Sequence, residues 1–330
     1  MRTARIKVHP RTGDSIYHCI TRTVNGAFLL DDPAKETLRK QLWQIADFCG
    51  VQILTFTILS NHFHVLLRVP QTAPVADTEL LRRYSVLYPK PTRFQEARLE
   101  VVQAWLQTSA PEGDAWRKRQ LALMGDVSQF MKLLKQRFSI WFNRTNNRFG
   151  TLWSERFKSI LVEPNAKVLE TLAAYIDLNA VRAGLVADPK DYRFCGYAEA
   201  LSGHSQARIG LCTLLAGETR PEWDQAQADY RLTLFGIGSG ARPDEGTLSS
   251  TDLENTVAQQ GRLPRHIILR QRIRHFTEGA VLGGKNFVAT HLATYRASTG
   301  RRRTSPPKPL PSLTDWGTPL VTLRGLRTVS

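Results

Sequence analysis

Hydrophobic and polar positions along the N-terminal half switch between a two-residue and a helical spacing, and the switches mark the elements. Ser15 to Thr23 sets Ile16, His18 and Ile20 against Tyr17, Cys19 and Thr21, the alternation of a strand. Asp31-Asp32-Pro33 then opens a helix with an acidic cap and a proline in its first turn. Leu38, Leu42, Ile45 and Cys49 form its buried stripe, and Gly50 ends it. Val51 to Ile58 is dense in β-branched and aromatic residues and gives a second strand. A tight turn around Leu59 to Asn61 leads into a third, through His62 to Arg68. Further on, Phe130, Leu133, Leu134, Phe138 and Trp141 recur at helical spacing over Val127 to Asn143. Phe157 to Val162 is a candidate fourth strand, and Leu169, Leu172, Ala173 and Ile176 mark a helix over Ala166 to Leu178. The order predicts an α+β fold: an antiparallel sheet with helices packed on one face.

Two regions depart from this pattern. Between about residues 71 and 125, prolines at 74, 89, 91 and 111 separate amphipathic pieces, around Glu79 to Leu87 and Arg93 to Leu106. They read as a helical insertion that could serve as a lid, a nucleic-acid-contacting arm or a spacer. Residues 201–330 read as a basic, mostly helical C-terminal region after a catalytic unit of residues 1–200. Ser202 to Gly246 looks like linker plus a helix over Pro221 to Leu234, and Thr251 to Arg296 like two or three short helices. Pro264 to Phe276, with Arg265, Arg270, Arg272 and Arg274, then Gly283-Gly284, then Lys285 to Tyr295 are compatible with a helix-turn-helix. Arg301 to Arg303, before prolines, reads as a solvated tail.

The candidate chemistry sits on the third strand. Side chains alternate along a strand, so His62 and His64 share a face and Phe63 takes the other. Two imidazoles held there can bind one divalent cation. The structural alternative is a pair of half-buried strand histidines. On the later helix Tyr175 and Asn179 stand four residues apart, on one face. Brought together, these groups give two nitrogen ligands and one oxygen ligand, a phenol as nucleophile, and open positions for a phosphate. His18, on the first strand, reads first as a packed residue, with contact to metal or nucleic acid as the alternative.

Charge narrows the partner. The 330 residues carry 45 Lys and Arg against 29 Asp and Glu, a net charge of +16, which suits a polyanion, with nucleic acid first. Lys132 and Lys135 lie on the polar face of the Val127 helix. Arg144, Arg148, Arg156 and Lys158 follow, interleaved with Phe149, Trp153 and Phe157. The cations, together with Arg22 and the C-terminal Arg270, Arg272 and Arg274, are candidate DNA contacts, and the aromatics are candidate stacking platforms or core. A 42% hydrophobic share supports an ordinary core. No apolar run reaches membrane-spanning length, and the basic start has no apolar stretch after it. Four scattered cysteines, 19, 49, 195 and 212, suggest free thiols in a reducing, cytoplasmic setting.

Asn61-His62-Phe63-His64, with Tyr175-Ile176-Asp177-Leu178-Asn179 and Val181-Arg182-Ala183-Gly184-Leu185-Val186, resembles the single-tyrosine transposases of the HUH class. Gly150 to Ser159 brings it nearest to the REP-associated tyrosine transposases. The matching blocks run from about Ile16 to Tyr197, and Ala180 stands where the family usually has proline, which should alter the helix end. The resemblance implies a ferredoxin-like HUH nuclease core and a Mg2+ or Mn2+ ion on His62, His64 and Asn179; histidine ligation alone would equally allow zinc or nickel. It also implies a 5′-phosphotyrosine at Tyr175 during cleavage and strand transfer of single-stranded or hairpin DNA. A binding protein without catalysis, and a metal nuclease in which water attacks, stay open. So do an RNA substrate, a homodimer, and a tyrosine helix exchanged between subunits.

Overall fold

A computed structural model describes residues 6–8, 13–71, 73–92, 95–216, 220–236, 263–299, 306–312 and 314–324. The Arg301 to Arg303 tail, residues 251–262 and the later part of the linker lie outside them.

Strand β1 (Ser15–Arg22) is flanked by β3 (His62–Val69) and β4 (Lys158–Val162), and β2 (Gln52–Ile58) lies outside β3, all antiparallel. Helix α1 (Asp32–Cys49) joins β1 to β2. Its N-cap, Asp31, accepts a hydrogen bond from the Ala34 amide, and Gly50 ends it at φ 64°, a left-handed turn that suits glycine. Between β3 and β4 come α2 (Asp77–Leu87), α3 (Leu99–Gln107), α4 (Pro111–Leu121) and α5 (Val127–Thr145). The expected ferredoxin-like β-α-β-β-α-β core is therefore present.

Residues opposite one another across an antiparallel pair share a face. The pairings Arg22 with His62, Ile20 with His64 and Thr57 with His64 put the histidines, Thr57 and Arg22 on one face, with His18 two residues along β1. The other face carries Phe56 and Phe63, and α1 and α5 cover it: Trp43 meets Phe56 edge-on at 6.0 Å, and Trp153 bridges Phe63 and Phe138. The one-sided helical layer holds for these two helices only. The histidine face is covered as well, by α6 (Ala166–Asp177), α8 (Gly196–Leu201) and α9 (Ser205–Leu214). Strand β1, central in the sheet, is buried at every position but its last, and its His18 is met on this face by Phe276. The approach is close: a Cβ on Gly210 of α9 would stand 2.8 Å from the Leu54 carbonyl oxygen, so α9 lies on the β2 backbone only because that residue is glycine.

The insertion α2 to α4 has its own small core of Leu80, Tyr84, Val102 and Trp116. It is tied to α1 by Arg82 on Asp47 and by Gln44 Nε2 donating to the Val86 carbonyl. It thus packs on the helix layer opposite the histidines, which does not suit a lid over them.

The helix-turn-helix expectation is corrected. Pro264 to Phe276 breaks into α11 (Arg265–Leu269) and α12 (His275–Glu278), and Gly279–Gly283 is strand β5, parallel to β4. Helix α13 (Lys285–Thr299) follows, and β7 (Val321–Arg324) and β6 (Lys308–Pro309) complete a seven-stranded sheet, β2-β3-β1-β4-β5-β7-β6. The free edge of β4 exposes backbone donors and acceptors, and β5 satisfies them. The 200/201 boundary is therefore not a boundary of the sheet.

Short helix α7 (Asn179–Arg182) continues α6 after Leu178, and α10 (Trp223–Phe235) packs on α6. Between them Asp177 is fully buried. It accepts hydrogen bonds from Tyr230 Oη at 2.5 Å, Thr55 Oγ1 at 2.8 Å and the Tyr197 amide. Burial outweighs these donors and raises its pKa from 3.8 to about 7. The folded state then holds a proton that the unfolded state releases between those two values, so stability falls as pH rises from about 4 through 7. Asp177→Asn, which keeps an acceptor for Thr55, is expected to flatten that slope, worth up to about 4 kcal/mol. Urea unfolding of both proteins at pH 5 and pH 8 checks this; equal slopes would contradict it.

Candidate active site

Two strands and one helical run build the site. His64 is buried, and its Nδ1 lies 2.8 Å from Nε2 of the buried His18. His62, one position from the end of the hairpin turn, has its Nδ1 2.6 Å from Asn61 Oδ1. Asn61 Nδ2 donates to the Gly26 carbonyl at 3.1 Å, which identifies the facing atom as oxygen. An amide oxygen only accepts, so His62 carries its hydrogen on Nδ1 and keeps a lone pair on Nε2. The two imidazole centroids are 5.2 Å apart.

Both rings are neutral at physiological pH. Burial holds His62 down to about 3, with Arg22, Arg182 and Arg272 pushing the same way. His64 is well below its ordinary value, again chiefly by burial, then by His18, His62, Arg182 and Arg22. His18 is held down to about 3 by burial. Neutral imidazoles ringed by guanidinium groups can bind a cation through nitrogen while drawing in an anion.

Helix α6 is fastened beside them. Thr57 Oγ1, across the pair from His64, donates to the Ile176 carbonyl at 2.7 Å and so fastens α6 against the histidine face. Tyr175 is 2% exposed, and its ring meets Phe276 at 5.1 Å, edge to face. The Arg182 guanidinium lies 3.9 Å from the Tyr175 ring centroid and donates to the carbonyls of Tyr175 and Leu269, both at 2.8 Å. Burial pushes Arg182 down to about 10, which leaves it a cation at neutral pH. Asn179 is buried, and its Nδ2 has no hydrogen-bond partner among the described residues. A buried amide N–H without a partner is costly unless a ligand's acceptor meets it.

Two neutral imidazoles on one face fit a divalent cation, and Asn179 could join them only through its side-chain oxygen; its unpaired Nδ2 is a donor and suits a phosphate oxygen. Among the described residues no group of three or more His, Cys, Asp or Glu side chains could hold a metal ion. A cation here would thus take its remaining positions from substrate and water.

The candidate DNA contacts divide. Arg22, Lys132, Arg144, Arg156, Arg272 and Arg274 are exposed, and the charges of Arg22 and Arg272 reach His62. Lys135 donates to the Glu155 carbonyl and lies over Trp153; Lys158 pairs with Glu155; Arg270 stacks on Phe235. Arg148 is half-buried. Trp153 and Phe157 belong to the core, which corrects their candidacy as stacking platforms, whereas Phe149 is 89% exposed. Three contributors were missed from sequence. Arg182 follows Tyr175 and Asn179 at the 4-and-3 spacing of one helix face, a signal that was present. Thr57 and Phe28, the latter 81% exposed, carried none.

Residues 12–85, which hold β1 to β3 and both histidines, match the family model described as Transposase IS200 like. The match supports the family drawn from the motifs and stops short of Tyr175. No curated protein matches the chain. A solved structure described as "Structure of the REP associates tyrosine transposase bound to a REP hairpin" is similar at a TM-score of 0.36 and 14% identity, covering 62% of this chain and 87% of that one. No helix among the described residues is long and apolar enough to cross a membrane.

Proposed function

We propose that this protein cleaves and rejoins single-stranded or hairpin DNA through a covalent tyrosine intermediate, in the manner of the IS200-like transposases. The observation that supports the reading is that α6, which carries Tyr175, is fastened at Ile176 to Thr57 of the histidine face, while Arg182, over the Tyr175 ring, acts on both histidines by charge. In this reading Tyr175 Oη attacks the scissile phosphorus and the bond from phosphorus to the 3′ oxygen breaks. The phenolic proton leaves to solvent, the freed 3′ oxygen takes one up, and the 5′ phosphate stays on Tyr175. Attack by another 3′ hydroxyl reverses the step and rejoins DNA, with no net hydrolysis. Arg182 and Arg22 attract and orient the phosphate. A divalent cation on His62, His64 and Asn179, magnesium or manganese by family resemblance, would supply Lewis-acid polarisation of the phosphate.

Polarity tests the reading. With hairpin DNA labelled at the 5′ end, the released fragment is expected to end in a hydroxyl that a polymerase extends. With a 3′ label, the signal is expected to travel with denatured protein. Released 3′-labelled DNA free of protein would favour water as the nucleophile, and retarded but uncut DNA the binding-only alternative.

The Val24 amide donates to the Leu152 carbonyl and Thr23 bridges to Trp153, which ties the loop of Phe28 to that of Phe149 at the His62 end of the sheet. Two exposed rings there suit stacking of unpaired bases. Phe149→Ala is expected to weaken single-strand binding by about 1–3 kcal/mol without changing stability. Fluorescence anisotropy against a single strand checks it; an unchanged Kd would contradict it.

A further inference from the structure

We propose that His18, held by the backbone carbonyl of Phe276, fixes the tautomer of His64 and so makes the C-terminal segment a working part of the cation site. The proposal rests on the cation reading given above. Phe276 belongs to α12, outside the β1 to β4 unit in sequence, and its carbonyl oxygen lies 3.0 Å from His18 Nδ1. A carbonyl oxygen only accepts, so Nδ1 of His18 carries the hydrogen; the opposite arrangement would set two lone pairs against each other. A neutral imidazole has one N–H, which leaves Nε2 of His18 as an acceptor. That atom faces His64 Nδ1 at 2.8 Å, so His64 must donate from Nδ1 and keep its lone pair on Nε2.

His62 reaches the same tautomer by an unrelated route, through Asn61 and Gly26. Two neighbouring histidines, locked alike by different partners, both keep a lone pair on Nε2 for a ligand. A ligating imidazole whose other nitrogen is held by a fixed acceptor is oriented and made more basic. The Phe276 ring packs on Tyr175 and on Trp316, so one residue of the C-terminal segment touches both the nucleophile and the histidine chain. His18 is thus a positioning residue, acting through His64.

The test uses the full-length protein with nitrogen-15 labelled histidine, and Mn2+ alone as the probe. In metal-free wild type, the His64 Nε2 resonance is expected in the range of a ring nitrogen without hydrogen. His18→Phe removes the acceptor and keeps bulk. Its Mn2+ affinity, read by electron paramagnetic resonance, is expected to fall about 10- to 100-fold. In His18→Gln the amide can accept from His64 and donate to Phe276, and affinity should return to within about threefold of wild type, on the same relation between supporting hydrogen bond and affinity. Melting curves of both variants establish that they are folded. A wild-type His64 protonated on Nε2, or a folded His18→Phe protein that binds Mn2+ like wild type, would overturn the proposal. If His18→Phe does not fold, the wild-type resonance alone decides. A wild type with the expected tautomer that takes up no Mn2+ would instead overturn the cation reading beneath it.

Discussion

Tyr175→Phe is expected to abolish DNA cleavage and adduct formation, by at least ~10³-fold in single-turnover rate, because a covalent route has no substitute for its nucleophile. The same change should leave the fold and cation uptake intact. The phenyl ring keeps its edge contact with Phe276 and its place under Arg182, and the stabilising contacts of Tyr175 in the structure run through the ring and the backbone. Stability is therefore expected to move by less than about 1 kcal/mol, as for a change that opens no cavity. Single-turnover cleavage, Mn2+ binding and urea unfolding measured side by side check the three parts. A variant that still cuts DNA at a comparable rate would assign the attack to water.

Arg182→Ala is expected to damage both activity and stability. One guanidinium holds the carbonyls of Tyr175 and Leu269, covers the tyrosine ring and places positive charge beside both histidines. Its loss leaves two carbonyls without their donor and a gap under the ring, which should cost about 2–4 kcal/mol. Cleavage should fall by about 10²-fold or more, the scale of a lost preorganised donor at a reacting phosphate. Arg182→Lys keeps the charge, but an ammonium lacks the planar fork that spans two carbonyls, so it should recover the attraction of DNA better than the rate. Unfolding curves and single-turnover rates at saturating DNA separate these effects. An Arg182→Ala protein as stable as wild type and within a few-fold in rate would contradict this role.

The core was legible because its signals are local. The alternation around Ile16 to Thr21, the stripe of Leu38, Leu42 and Ile45, and the Asp31 cap with its closing Gly50 each act within a few residues. His62 and His64 were readable as a same-face pair, and Tyr175 with Asn179 as a helical pair, for the same reason. What places them together is not local. His18 and Phe276 are 258 residues apart, and the atom that matters on Phe276 is a backbone oxygen, which leaves no mark on residue type. Gly283-Gly284 read as a turn between two helices, and Ala280, Val281 and Leu282 before it gave no signal because a strand that short has no periodicity; the open edge of β4 decides its conformation. Trp153 and Phe157 carried the composition of a stacking surface, but the bridge from Thr23 to Trp153 turns that loop inward. Phe149, on the same loop, stays outside.

A bond between DNA and Tyr175 can be seen outright by peptide mapping with mass spectrometry. Wild-type protein incubated with hairpin DNA and Mn2+, then digested with nuclease and protease, is expected to yield the peptide containing Tyr175 with a nucleotide phosphate on its phenolic oxygen. Cleaved DNA in the same tube with that peptide unmodified would contradict the account.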